Sequence, residues 1–373
     1  MNRPQLQIVV GGQFGSEAKG HVAAQLAARL DSPLVIRTGG PNAGHTVVGP
    51  DGRTHKLRQL PTAVVSNPGA TIAISAGSLI DPTVLEREMA EQELDYAYCE
   101  RLIIDPAATV ISDRHKRAEA LDQNLSGWST QKGIGAARAD RVMRQADTVQ
   151  RYYGNRADPW FSQMSVANIA RNHLGNGQSV LIEAAQGYGL GLHTKFYPKT
   201  TSADCTAIDA LADVGLSPWT LAGLEPLVWV VVRPYPIRVA GNSGPLAGET
   251  TWAELGLEPE HTTVTNKVRR VGHWDPSLVA EAIWANGGPS SNVVVALTMA
   301  DQVVPAVRGM TTVEDLSALT EHDYMKLQRW IDRVEGLGAR VRAIGTGPAT
   351  MIFLGAPHVN AIPVDSAIHR GGE

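Results

Sequence analysis

Cysteine is nearly absent. Cys99 and Cys205 are the only two in 373 residues, far apart and in no metal-binding spacing, so a reduced cytoplasmic protein is the natural inference. Long apolar runs are missing too. The longest aliphatic stretches, such as LVWVVV at 227–232, are far too short to span a bilayer, and the opening MNRPQLQIVV has no signal-peptide core. No membrane association is expected. Basic charge is not in excess: 33 Lys and Arg against 37 Asp and Glu give a net charge of −4. That argues against a nucleic-acid coat while allowing a local basic pocket. Internal repeats, low-complexity tracts, long charge runs and a convincing linker are all lacking, so a single domain over residues 1–373 is expected. With 43% hydrophobic and 19% charged residues, a large core is possible and disorder is not the reading.

Glycine, by contrast, is plentiful: 37 residues, against 8 Trp, 8 Tyr and 4 Phe. This exceeds the usual ~7% without approaching collagen-like content. Much of the excess falls in 11–20, 39–44, 133–135, 187–191 and 345–347. Gln5–Val10 reads as a buried strand running into the first of these, Lys19–Leu30 as a helix, and Leu34–Arg37 as a second strand ending in GGPNAGHT. Strand, loop, helix, strand is the opening of an α/β fold around a mostly parallel sheet. Further strands are predicted at Thr71–Ser75, Ser179–Ala184, Leu227–Val232, Asn292–Leu297 and Ala339–Ile344. Thr350–Leu354 is expected to return against the last of them through the turn near Gly347 and Pro348. Helices are predicted at Pro82–Glu93, Arg114–Asn124, Pro159–Leu174, Ala207–Leu211 and Tyr324–Glu335, with Asp81-Pro82 as a start signal.

The loop Gly11-Gly12-Gln13-Phe14-Gly15-Ser16-Glu17-Ala18-Lys19-Gly20-His21 joins a strand to a helix, where backbone amides and the positive helix end suit phosphate, with Lys19 as a point charge. It is neither a strict Walker A nor a dinucleotide fingerprint. The alternative is a tight turn without a ligand. The second loop, Gly39-Gly40-Pro41-Asn42-Ala43-Gly44-His45-Thr46, belongs at the same carboxyl edge of the sheet, and His45 is a candidate general acid or phosphate ligand. A lone loop histidine is otherwise only a hydrogen-bonding residue. Ser129-Thr130-Gln131-Lys132-Gly133-Ile134-Gly135, followed by Arg138, Arg141 and Arg144, suits a monoester phosphate, with a solvated basic helix as the alternative. Glu183-Ala184-Ala185-Gln186-Gly187 ends a strand with a polar group, and Thr263–Arg270 sets hydroxyls beside cations in a way that suits a carboxylate. Each of these three alone is more often structural.

In order, these segments resemble adenylosuccinate synthetase, a family whose motifs read G-x-Q-x-G-D-E-G-K-G-K, N-A-G-H-T, S-T-x-R-G-I-G, A-Q-G, T-T-G-R-x-R-R, L-T-K-x-D and T-G-P-D-R. Here they stand as GGQFGSEAKGH, NAGHT, STQKGIG, AQG, TVTNKVRR, LTMAD and TGPAT, spread from residue 8 to about residue 355. The resemblance implies a single P-loop-NTPase-like α/β domain, a homodimer, and a two-step reaction. A nucleoside triphosphate phosphorylates the purine O6, and the aspartate amine then displaces that phosphate. By position it also implies roles. Gly15, Glu17, Ala18, Lys19, Gly20, Gly44, His45 and Thr46 take the donor phosphates, with His45 as general acid and the Gly44 carbonyl and Ser16 toward Mg²⁺. Ser16, Asn42, Ser129, Thr130, Gln186, Thr201 and Val239 take the substrate nucleotide, with Arg144 reaching in from a second subunit. Thr265, Lys267 and Arg269 take aspartate, and Asp301, Gly345, Gly347 and Pro348 the donor base. Such roles agree with phosphoryl transfer, which needs positioning and charge neutralisation more than covalent help.

Departures from the pattern sharpen the expectation. Ser16 stands where the family has its general base, a carboxylate facing purine N1. A positioned base contributes ~10²–10⁴ in rate, which serine cannot supply at neutral pH. The shorter side chain also makes room for a 2-amino group, which guanine has and hypoxanthine lacks. The GSE form of the loop resembles the viral branch of the family, which acts on dGMP and leads to 2-aminoadenine in DNA. Lys267 is consistent with a 2′-deoxy sugar. Met299 and Ala349-Thr350 replace donor-base residues of the family, so ATP or dATP is expected and GTP disfavoured. The expectation is therefore a dGMP–aspartate ligase in the cytoplasm, of a host cell for a viral enzyme. The alternatives are ordinary adenylosuccinate synthetase using IMP and GTP, and a silent nucleotide-binding regulator.

Overall fold

Valine, isoleucine and leucine fill the central strands on both faces, so the sheet they form must be covered on both sides. The computed structural model describes residues 5–94, 101–125, 128–154, 164–219, 224–262, 267–290 and 292–355. In chain order the strands of its main sheet are β1 (Leu6–Gly11), β2 (Leu34–Arg37), β3 (Thr71–Ile74), β4 (Leu102–Ile104), β5 (Val180–Glu183), β6 (Leu227–Val232), β7 (Val293–Leu297), β8 (Arg340–Gly345) and β9 (Met351–Phe353). They lie in the order β9–β8–β7–β6–β1–β5–β2–β3–β4, nine strands in all, parallel throughout except for the antiparallel return of β9 on β8. The α/β fold around a mostly parallel sheet is as expected.

Alternation along β1 shows the two layers. Leu6, Ile8 and Val10 join one buried cluster with the helices Val166–Gly175, Pro276–Ala285 and Glu321–Glu335, while Val9 joins the other with Val22, Ala23, Leu26, Leu60 and Trp229. Three further helices matter for the site: α1 (Lys19–Ala27), α2 (Asp113–Leu121) and α3 (Ile134–Val142). A fourth, α4 (Ala207–Val214), starts with Thr206 Oγ1 accepting from the Asp209 amide at 3.3 Å and stops at Gly215, φ +83°.

Predicted boundaries shift in places. The helix after β1 ends at Ala27 rather than Leu30, in a bonded turn of Arg29 and Leu30 amides. The helix predicted from Pro159 begins, among the described residues, at Val166, with Ser165 as its cap; its predicted start lies outside them. Several elements have no counterpart in the sequence reading, among them the three-residue edge strand β4, the strand His45–Val48 and the helix Pro276–Ala285, which is capped by Asp275 Oδ1 accepting from the Leu278 amide at 3.1 Å. Among the described residues no helix is long and apolar enough to cross a membrane.

Four non-glycine residues with positive φ stand just beyond carboxyl strand ends: Ser16 (+60°) and Ala18 (+68°) after β1, Gln186 (+64°) after β5, and Met299 (+55°) after β7. Alanine in this region costs roughly 1–2 kcal/mol through its Cβ. Ala18 is also the N-cap of α1 and makes no side-chain cap bond, a position that glycine suits better than alanine. Ala18→Gly is therefore expected to raise the unfolding free energy by roughly 0.5–1 kcal/mol, after allowing for the looser unfolded chain. A higher denaturant midpoint at unchanged m-value would show this, and a lower midpoint would refute it.

Candidate active site

Strand order decides which loops meet. β5 lies between β1 and β2, and β6, β7 and β8 follow on the other side of β1. The segments after all six strands emerge at one edge, the carboxyl edge where open parallel sheets hold ligands.

The loop after β1 is organised around a buried carboxylate. Glu17 Oε1 accepts from the amides of Gln13 (3.0 Å) and Gly15 (2.7 Å), and Oε2 pairs with Lys19 Nζ at 2.7 Å. Glu17 and Lys19 are both buried. Thr298 Oγ1, just past β7, donates to the Glu17 carbonyl at 2.7 Å and ties the loop to its neighbour. The sequence reading presents Lys19 and all the amides from Gly15 to Gly20 to a phosphate. In this structure Lys19 Nζ and the Gly15 amide bond Glu17, a buried carboxylate that needs partners. Gly20 sits in the first turn of α1, where a Cβ would lie 2.5 Å from the His45 Cβ, so only glycine lets the helix approach that strand.

His45 opens a short strand, His45–Val48, paired with Thr54–Leu57. Its ring is buried, not free in a loop. Nδ1 faces Glu183 at the end of β5, and Arg37 Nη1 lies against the ring, in contact with Nδ1 and 2.9 Å from Nε2. Arg37 ends β2 and also bonds Glu183 (3.1 Å) and the Ala43 carbonyl (3.1 Å). The second Glu183 oxygen accepts from the Thr62 amide (2.8 Å) and hydroxyl (2.9 Å). Burial, with the charge of Arg37, lowers the His45 pKa to about 3, so the imidazole is neutral. Burial pushes the Glu183 carboxyl up, but the His45 hydrogen bond, the nearby charges and the Thr62 amide outweigh it and hold the group below its ordinary value.

Beside this cluster opens a cleft lined among others by Asn42, Arg138, Gln186, Thr201, Asp209 and Asp213. It unites three segments the sequence marked separately: NAGHT, AQG and the stretch around Thr201. Burial, with Asp213 nearby, raises the Asp209 carboxyl to about 7. Ser129 and Thr130 are half-buried ahead of α3, whose start is anchored by Glu119 of α2 accepting from the Gly133 (2.7 Å) and Gly135 (2.6 Å) amides. Arg144, beyond the end of α3, is exposed and donates to the Val142 carbonyl at 3.0 Å. It does not line the cleft, and neither does Val239, which is 36% exposed.

Arg269 Nη1 donates to Ser16 Oγ, joining the 260–270 segment to the first loop. The fully buried Arg233, following β6, donates to the Ser16 carbonyl at 3.2 Å and pairs through both Nη atoms with Glu260. Lys267 is exposed, its amide donating to Thr262 Oγ1 at 3.0 Å; Thr265 lies outside the described residues. Past β7 and β8, Gly345 abuts Thr298: a Cβ there would lie 3.2 Å from the Thr298 Cα. Asp301 stands in the short turn Ala300–Gln302, 3.8 Å from Arg308, with its carboxyl raised by burial. Gly347 and Pro348 form the turn between β8 and β9. Gly44 and Thr46, which flank His45 in sequence, are exposed.

Sequence reading passes over Arg37, Glu119, Arg233, Glu260 and Thr298. Two of these carried a usable signal, a charge ending an otherwise apolar strand: LVIR at Arg37, and LVWVVV followed by Arg233. A charge at a buried strand end is costly unless a partner pairs with it.

The model of the family described as adenylosuccinate synthetase matches residues 8–157 and 147–305. Adenylosuccinate synthetase of Pyrococcus horikoshii is 35% identical over 348 residues, covering 91% of this chain and 95% of that protein. That of Methanocaldococcus jannaschii is 36% identical over 353 residues, covering 91% and 94%. Among solved structures, the succinoaminodeoxyadenylate synthetase of cyanophage S-2L, bound to dGMP and dATP as an energy donor, superposes with a TM-score of 0.75 at 30% identity, covering 93% of this chain and 94% of that one. The fully ligated adenylosuccinate synthetase of Plasmodium falciparum shares the fold at a TM-score of 0.77 and 19% identity, covering 94% and 100%. With its glycine-rich loop, buried histidine and cleft assembled at one sheet edge, the chain belongs to the adenylosuccinate synthetase family and is a C–N bond-forming ligase.

Proposed function

We propose that this chain joins L-aspartate to the 6-position of dGMP, with ATP or dATP cleaved to its diphosphate and phosphate through a 6-phosphoryl intermediate. The product is N6-succino-2-amino-2′-deoxyadenylate, a precursor of 2-aminoadenine in DNA. The observation that carries this reading is Ser16: a small hydroxyl in contact with Arg269, its carbonyl bonded to Arg233, where a carboxylate base would otherwise face purine N1. Glu17 is consumed by Lys19 and two amides, so it is not free to act as that base. Two guanidinium groups beside Ser16 favour loss of the N1 proton by stabilising the anion. The cyanophage enzyme with dGMP and dATP bound, 30% identical, supports the same substrates.

In this reading Asn42, Gln186 and Thr201 hold the nucleotide in the cleft, with Ser129, Thr130 and Val239 at its phosphate and sugar. Arg144, exposed at the end of α3, reaches the site of a second copy in a homodimer. Thr265, Lys267 and Arg269 receive aspartate. Lys19 and the amides of Ala18 and Gly20 receive the donor phosphates, and Asp301, Gly345, Gly347 and Pro348 the donor base. Among the described residues no group of three or more Asp, Glu, His or Cys side chains gathers to hold a metal. That suits Mg²⁺ arriving on the triphosphate, with the exposed Gly44 carbonyl and Ser16 as its protein contacts. The ion would neutralise phosphate charge there. His45 is neutral beside Arg37. A triphosphate near Arg37 and Lys19 offsets their cationic influence, leaving Glu183 at Nδ1 to favour the imidazolium that can protonate the transferred group. The archaeal relatives favour a second reading, IMP with GTP.

Purified protein given aspartate and Mg²⁺ with dGMP, GMP, IMP or dIMP, crossed with ATP, dATP and GTP, separates the two by which pair releases phosphate and forms a succinyl product. Ser16→Asp is expected to create IMP turnover and reduce dGMP turnover by roughly 10²-fold, the low end of the effect of a positioned base; unchanged selectivity would remove Ser16 as the determinant. His45→Ala is expected to lower kcat by ~10²–10⁴ while nucleotide Kd moves less than threefold. Equal losses in both would assign His45 to binding. Stability carries a further signature. Unfolded, His45 takes a proton near 6.5, whereas folded it stays neutral down to about 3. The unfolded chain binds more protons in that window, so stability falls as pH is lowered from 6.5 to 3, by up to ~1.4 kcal/mol per unit. Denaturant titrations of His45→Gln should show a shallower fall over the same range.

A further inference from the structure

His21 follows Gly20 in the first turn of α1, and its Nε2 lies 3.2 Å from the Thr350 carbonyl oxygen. One turn on, on the same helical face, Gln25 Nε2 donates to the Ala349 carbonyl at 3.0 Å. A carbonyl only accepts, so Nε2 carries the hydrogen of the ring. Burial, partly opposed by that same bond, lowers the His21 pKa and keeps the ring a neutral donor. The 346–350 turn is closed on itself as well: the Thr346 amide donates to the Thr350 carbonyl at 3.1 Å, and Thr346 Oγ1 donates to the Met310 carbonyl at 2.6 Å. One rigid helix thus carries the phosphate loop at its start and grips the backbone of this turn along its side.

We propose that His21, assisted by Gln25, is a positioning residue that fixes the spacing between the two ends of the bound nucleoside triphosphate. The start of α1 sets where the phosphates sit, and the His21 and Gln25 bonds set where the base-contacting turn sits relative to them. This rests on the reading of Gly345, Gly347 and Pro348 as the donor-base turn. His21 touches no reacting atom. Its removal loosens the base end and leaves the phosphate end as it was. Glutamine in its place supplies an amide N–H to the same carbonyl and restores the grip.

The test uses the full chain with Mg²⁺ and measures equilibrium Kd for ATP, GTP and inorganic tripolyphosphate, which has phosphates but no base. His21→Ala is expected to weaken nucleoside triphosphate binding about five- to tenfold, the scale of one hydrogen bond. Tripolyphosphate and nucleoside monophosphate affinities should stay within twofold, and His21→Gln should recover most of the loss. Gly347→Ala, whose Cβ would lie 3.0 Å from Thr350 Oγ1, perturbs the turn directly and serves as the comparison. If Gly347→Ala weakens triphosphate binding and His21→Ala does not, the turn reads the base but the grip from α1 is overturned. If tripolyphosphate weakens as much as ATP in His21→Ala, the residue acts at the phosphate end and the inference falls. If neither variant changes ATP or GTP affinity, the donor-base reading of the turn falls and the inference falls with it.

Discussion

A single buried carboxylate organises the carboxyl edge of this sheet. Glu183 ends β5 with no solvent contact, and it accepts from a histidine, an arginine, a backbone amide and a hydroxyl drawn from three other segments. An ionised carboxylate without water must be surrounded in this way, because each unmet acceptor site costs on the order of 1–3 kcal/mol. The same four bonds fix the His45 ring, hold Arg37 over it and pin Thr62 beneath. Glu17 does similar work one strand away, where it orders the phosphate loop from inside. The site is thus held from beneath by two acidic groups, although the ligands it serves are themselves acidic. These carboxylates keep Lys19 and Arg37 in place at the sheet edge.

Parallel strands read clearly from the sequence because they are buried on both faces and appear as short unbroken aliphatic runs. All the longer ones are legible for that reason. β4 and β9 are both three-residue edge strands, but β9 follows directly on a predicted strand and the turn at Gly347 and Pro348, whereas β4 has no such neighbour to mark it. Pro276–Ala285 is different: it starts with Asp275-Pro276, the same signal that marks Asp81-Pro82, and is apolar on several sides, so periodicity is weak while the cap is plain. The site divides along similar lines. Gly20 and the NAGHT and AQG segments are legible because they contain glycines or sit next to strand ends. The closing partners are not. Nothing in Arg233 or Glu260 taken separately predicts that they pair across the sheet edge.

Left-handed residues concentrate at the same edge. Ser16, Ala18, Gln186 and Met299 adopt a backbone shape that only glycine takes without cost, and they do so in three neighbouring loops. Their side chains are thereby turned where an ordinary extended or helical residue would not place them. Chemistry at these positions is set by the backbone first, so replacing Ser16 changes a functional group on an already committed direction.

Strand order has a further consequence for how the molecule comes into being on the ribosome. β1, though first in the chain, has β5 and β6 as its only neighbours in the main sheet. Both follow it far along the chain, from Val180 and Leu227, so this strand and its glycine-rich loop wait, edges bare, until β5 has been synthesised. At ~5–20 residues per second that is a delay of roughly ten seconds to half a minute with an apolar six-residue segment unpaired. A fold of this topology therefore places its greatest demand for protection from aggregation on its N-terminal end, and its nucleotide site is among the last features to exist.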